Sequence, residues 1–269
     1  MKYNFKMGDS VRVKQGVAGE TSPVQDKRAF LMTMTGEPYQ PARVHYNLFE
    51  KEKVADTFAK LRCMDYDKSK QRWVWLYSKE AKKLRFANSY SSIPWRKRPI
   101  VLGSFFSKTV GQMFLNVNSF DRAAKAIEFF DRYLDRSIAQ VTDIEIVNRF
   151  FDSSSTEVPA HECFDKQPVV RPDTDSFLKE VIMEALAIED PKERAEFGMS
   201  YLEEMSKKPI PEVERLPTLY HEEGIGSLEL ALRVRHIIAY QHWLGNADYC
   251  FHDLRQEIMP WLDGRKQHE

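Results

Sequence analysis

The tract from Lys79 to Arg98, KEAKKLRFANSYSSIPWRKR, holds seven cations against one acid, Glu80. Phe86, Tyr90 and Trp95 lie among the cations. Cations neutralise phosphates and release counterions, while flat rings stack on unpaired bases. Residue types in this mixture suit a single-stranded nucleic acid or an acidic protein surface. The binding residues it nominates are Lys82, Lys83, Arg85, Tyr90, Trp95, Arg96, Lys97 and Arg98. A structural account competes with this one, because rings at such spacings also fill cores and KEAKKLRF can form one amphipathic turn with a solvated face. Pro94 and Pro99 each bias their predecessor away from helix, so Arg96 to Arg98 are expected in an extended loop before the strand PIVLGSFF.

Other chemistry has weaker grammar. His242, Cys250, His252 and Asp253 in HWLGNADYCFHD are the candidate metal ligands, but they lack CxxC or HExxH spacing. His236 and His242, six apart on one helix, point about 120° apart and share a metal poorly. Asp65 and Asp67 share a strand face, yet they sit beside a hairpin tip where turn chemistry is the default. GxSxG, GxGxxG and GxxxxGK[ST] are all missing. These gaps favour a binding protein over an enzyme and point to no cofactor.

Net charge is zero over 269 residues, but its distribution is polar. Residues 1–150 hold 27 Lys and Arg against 16 Asp and Glu; residues 151–269 hold 13 against 24. Such a split points to a polyanionic partner or to two halves that attract each other. No apolar run reaches the ~20 residues of a membrane helix, which argues against a membrane partner. The first thirty residues lack a signal-like apolar block. Three scattered cysteines fit a reducing compartment. A cytoplasmic location is expected.

The elements that must position these residues follow from periodicity. RVHYNLF at 43–49 alternates as a strand. Residues 61–66 and 72–77 form a hairpin, with Trp73, Trp75 and Tyr77 on one face. PIVLGSFF and QMFLNV form a second pair. FKMGDSVRVK, residues 5–14, resembles the first hairpin of an SH3-like barrel, which implies a small barrel-like opening. SFDRAAKAIEFFDRYLDRSI starts with Ser119 as N-cap and carries an apolar stripe through Phe120, Ala123, Ile127, Phe130 and Leu134. TDIEIVNRFF carries a capping box, Thr142 with Glu145, and is expected to be a second helix. Residues 152–174 read as linker or long loop. Helices are expected over 176–188, from Asp190-Pro191 to before Pro209, over 227–244 and over 247–258.

The sequence therefore predicts an α+β protein, with a β-rich N-terminal region and a mostly α-helical C-terminal region. Its expected divisions are a basic β-rich domain at 1–151 closed by two helices, a linker at 152–174, and an acidic helical domain at 175–269. The leading expectation for function is a non-enzymatic adaptor that docks on a protein partner through the basic-aromatic surface and the acidic helices. Nucleic-acid binding through residues 79–98 is the alternative. A metal-dependent hydrolase is the second.

Overall fold

The structure, a computed structural model, describes residues 29–166, 169–170 and 174–265. The resemblance to a barrel hairpin at residues 5–14 lies outside the described residues. The chain is α+β. Seven antiparallel strands form one sheet in the order β2-β3-β4-β5-β1-β6-β7. They are β1 (Ala42–Leu48), β2 (Met64–Asp67), β3 (Arg72–Leu76), β4 (Val101–Thr109), β5 (Gln112–Val117), β6 (Ala139–Val147) and β7 (Val213–Pro217). The sheet is open, with β2 and β7 at its two ends. The helices are α1 (Lys51–Lys60), α2 (Phe120–Asp131), α3 (Ala160–Phe164), α4 (Thr174–Ala187), α5 (Pro191–Ser206), α6 (Tyr220–Glu223), α7 (Ile225–Trp243) and α8 (Phe251–Arg265).

Strand alternation divides the sheet into two different faces. Ala42, Val44 and Tyr46 of β1 lie with Met113, Leu115 and Val117 of β5 and Ile144 and Ile146 of β6 in one buried cluster. Helix α2 covers that face. Its N-cap is Ser119, whose hydroxyl accepts from the Arg122 N–H, as the sequence predicts. Phe130 from α2 meets Phe105 edge-on at 4.7 Å and Trp75 at 5.2 Å. Phe58 from α1 completes this aromatic knot, 4.8 Å from Phe105. Each such ring contributes about 1.5–3 kcal/mol by burial. Leu228 and Leu232 of α7 belong to the same cluster.

The segment expected to be a second helix, TDIEIV, is strand β6, seated between β1 and β7. The capping box is present in sequence, but Val141, Ile144, Ile146 and Val147 are β-branched and pack better on a pleated surface than in a helix. Pairing on both edges satisfies the β6 backbone and overrides the local cap signal. One helix, α2, thus follows the first five strands where two were expected. Strand β7 comes from beyond 152–174, so the sheet draws on residues from both sides of that segment. Its buried Glu214 accepts from Arg235 of α7 at 2.5 and 3.1 Å and from Asn148 at 2.6 Å.

Candidate functional site

The basic-aromatic tract folds as three 3₁₀ turns, at Lys79–Lys83, Tyr90–Ser92 and Trp95–Lys97. The extended loop expected between Pro94 and Pro99 is therefore a tight turn: the Lys97 N–H donates to Pro94 O at 2.9 Å and the Arg98 N–H to Trp95 O at 3.1 Å. Proline restricts only the residue before it, and Trp95 to Lys97 are free to turn. Two nominated residues are used internally. Arg98 donates through Nε to Ile93 O at 2.7 Å and through Nη2 to Ser91 O at 2.8 Å. Tyr90 lies between Lys82, 4.1 Å from its centroid, and Arg98, at 4.5 Å. Phe86 is buried against Tyr77. Trp95 is 74% exposed, with the Arg96 guanidinium 5.5 Å from its ring. Lys82, Lys83, Arg85, Arg96 and Lys97 are exposed. With Lys79, also exposed, the tract thus presents one ring and six cations, while Arg98 and Tyr90 brace it.

The candidate metal ligands do not converge. His242 Nε2 donates to Tyr249 O at 2.8 Å, and His252 Nδ1 lies 3.4 Å from the Ser206 hydroxyl. Asp253 accepts from the Cys250 N–H at 2.8 Å and its thiol at 3.1 Å, which holds the carboxyl below its usual range. Among the described residues no group of three or more His, Cys, Asp or Glu is placed to hold a metal. Asp67 accepts from Ser69, the Lys70 N–H and Arg72, so it closes the hairpin turn.

The sheet face opposite α2 carries polar residues that sequence reasoning missed. Register aligns Ser104, Asn116, Arg43, Glu145 and Arg215 in one row across β4, β5, β1, β6 and β7. The next row runs through Phe106, Phe114, His45 and Asp143. Arg43 is 5% exposed and donates to Asn116 Oδ1 at 2.8 Å and Asp165 Oδ1 at 2.7 Å. Its guanidinium stacks on Phe114 at 4.3 Å and Phe164 at 5.1 Å. Glu145 lies between Arg43 and Arg215, 3.6 Å from each, and 3.2 Å from His45. Opposite charges on neighbouring strands make such a row self-supporting.

A cavity of about 570 Å³ opens on this face. Arg43, Arg72, Ser104, Phe106, Phe114 and Asn116 line its floor, and α3 borders it through Ala160 and His161. Arg122, 2% exposed, lines it from the first turn of α2. Arg122 donates to Thr35 Oγ1 at 2.6 Å and lies 3.7 Å from Glu37. Burial pulls this guanidinium below its usual range, and the Glu37 charge opposes that pull.

Among the described residues no helix is long and apolar enough to cross a membrane. Searches of protein-family models, of curated proteins and of solved structures found no match to this chain.

Proposed function

We propose that this chain is a non-enzymatic docking protein whose helical region binds a protein partner carrying a basic, amphipathic segment. The supporting observation is the exposure of large apolar side chains on α4 and α5. Ile182, Met183 and Leu186 of α4 are 52%, 69% and 61% exposed, and Met199 and Leu202 of α5 are 55% and 59% exposed. Leu186 is one turn from Ile182, and Leu202 is three residues from Met199, so each helix presents a stripe. Clusters of this kind mark protein-binding surfaces. Glu184, Glu193, Glu196 and Glu203 are exposed on the same helices, which selects a basic partner. The cytoplasm is the setting this reading assumes, supported by three free thiols, Cys63, Cys163 and Cys250.

The test is co-purification with wild type and with a Leu186→Asp, Leu202→Asp variant, followed by reconstitution with each purified candidate. A direct partner loses at least ~tenfold in affinity with the variant, since two buried apolar contacts contribute more than 1.4 kcal/mol. A partner that binds both forms equally removes the reading.

The exposed Trp95 favours a second reading, in which residues 79–98 hold single-stranded nucleic acid. Trp95→Ala removes one stacking platform, worth ~1–3 kcal/mol per base. Fluorescence anisotropy of labelled RNA and DNA at several salt concentrations measures it. If Arg96, Lys97 and Lys83 all touch phosphate, their joint replacement by Ala reduces the salt slope by about 2–3. Absence of binding at low salt eliminates this reading and leaves the protein-partner one intact.

A further inference from the structure

The α4–α5 face and the 79–98 tract have so far been treated apart, yet each has what the other needs. We propose that the α4–α5 face binds the 79–98 tract of a second copy of this chain, so that copies join head to tail; for the helical face this rests on the docking reading. The two surfaces are opposite in charge. Between residues 181 and 206 seven Asp and Glu are exposed against one exposed cation, Lys192. The tract exposes six cations, and its one acid, Glu80, is engaged by Arg62 at 3.3 Å. Each surface also has an apolar centre. Trp95 stands 74% exposed with the Arg96 guanidinium beside it. Trp and Arg are the residues that most often anchor a protein interface. On the helices, Met183 and Met199 are exposed beside Leu186 and Leu202, and soft thioethers accept an aromatic ring well. The match is thus a ring for an apolar stripe, with cations for the carboxylates at its rim.

Both surfaces are exposed in the chain, so neither covers the other within one molecule. Topology explains this. The tract joins β3 to β4, whereas α5 leads into β7 at the far end of the sheet. Four strand spacings separate β4 from β7, roughly 20 Å at about 4.8 Å each. A contact between the two surfaces therefore runs from one copy to the next. A two-fold pairing of tract on tract, or of helices on helices, would oppose like charges and is disfavoured. Head-to-tail pairing opposes unlike ones. It uses two different patches, so each added copy leaves one patch of each kind open until a ring closes. The net charge of zero removes the overall repulsion that would otherwise resist such growth.

Sedimentation velocity of the full chain, from about 1 to about 200 μM, tests it. The expected result is a sedimentation coefficient that rises with concentration in about 50 mM salt, with association at least ~tenfold weaker in about 500 mM salt. Trp95→Asp damages only the tract, and Leu186→Asp with Leu202→Asp damages only the helices. All three side chains are exposed, so the variants keep their fold. Each variant alone is expected to stay monomeric. Mixed in equal amounts they are expected to form a one-to-one complex, because each retains the patch the other lacks. The proposal is overturned if the wild type is monomeric at every concentration, if Trp95→Asp associates like the wild type, or if the mixture stays monomeric. A monomeric wild type whose co-purified partner is lost with Leu186→Asp, Leu202→Asp overturns the second copy and leaves the docking reading standing. A monomeric wild type that binds single-stranded RNA through Trp95 overturns it in favour of nucleic acid.

Discussion

Gly103 shows how little room the sheet leaves between β4 and β5. A Cβ at this position would stand 2.8 Å from both Asn116 O and Leu115 Cδ1 and 2.9 Å from Val117 Cγ1. The carbonyl cannot move without breaking the ladder. Gly103→Ala is therefore expected to cost about 1–3 kcal/mol by overpacking, read as a lower midpoint in urea at unchanged slope. His236 gives a second residue-scale outcome. It hydrogen-bonds Gln40 Oε1 at 2.6 Å and packs edge-on to Phe150. Burial holds its imidazole below the ordinary histidine value of 6.5. The folded pKa is depressed, so the unfolded chain binds more protons as pH falls. Stability is thus retained above pH ~6.5 and lost progressively below it. Thermal melts from pH 7.5 to 5 should fall less steeply for His236→Gln than for wild type. His221, shifted in the same direction by burial, leaves a residual slope in that variant. An equal slope in both proteins contradicts the assignment. Neither environment was visible in the sequence, because Gly103 and Asn116, like His236 and Gln40, meet only after folding.

At the scale of elements, α7 is joined to the sheet by one buried ion pair. Glu214 of β7 is 2% exposed and Arg235 grips both its oxygens. Arg235→Met leaves a buried carboxylate without its cation, at a cost of about 3–5 kcal/mol. Adding Glu214→Gln removes that charge and should recover part of the loss, as a double-mutant cycle would show. Local pattern predicted β1, the β2–β3 and β4–β5 pairs, α2, α4, α5 and α7. The strands it found alternate cleanly and the helices carry real caps, such as Ser119 and Asp190. It failed at β6, where a cap signal and β-branched residues conflicted and only the neighbours β1 and β7 could decide. It also failed at β7, since VERLP has five residues and gains its identity from the β6 edge. The row Ser104–Asn116–Arg43–Glu145–Arg215 shares this cause. Its members are scattered over more than a hundred positions, and each alone reads as an ordinary polar strand residue. Trp95 was nominated by its place among the cations, but the tight turn that exposes it was expected to be an extended loop.

On the scale of the whole molecule, strand β7 fastens the later half of the chain to the earlier one. Residues 153–157 between them are exposed. Brief proteolysis should nick this segment first. The two fragments are expected to elute together under native conditions, held by the β6–β7 ladder and by the Leu228 and Leu232 contacts, and to separate only in denaturant. Fragments that part without denaturant would mean that 175–269 stands alone. The charge split of the sequence becomes short-range here: Arg43 meets Asp165 at 2.7 Å and Arg149 meets Glu212 at 3.2 Å. Both pairs cross between the halves, but each basic half-partner is a single residue. The exposed cations of the 79–98 loop remain available to other surfaces.

The strand order also sets a timetable for synthesis. Strand β1 leaves the ribosome before its partner β6, which follows about a hundred residues later. Once β6 docks, its far edge stays open until Val213–Pro217 emerges. At 5–20 residues per second the stretch between Val147 and Val213 takes on the order of 3–13 s to translate. For that interval a nascent chain carries the naked rim of an apolar strand, an invitation to neighbouring nascent chains on the same message. Slow codons placed between those two positions would prolong the hazard, and fast codons there would shorten it.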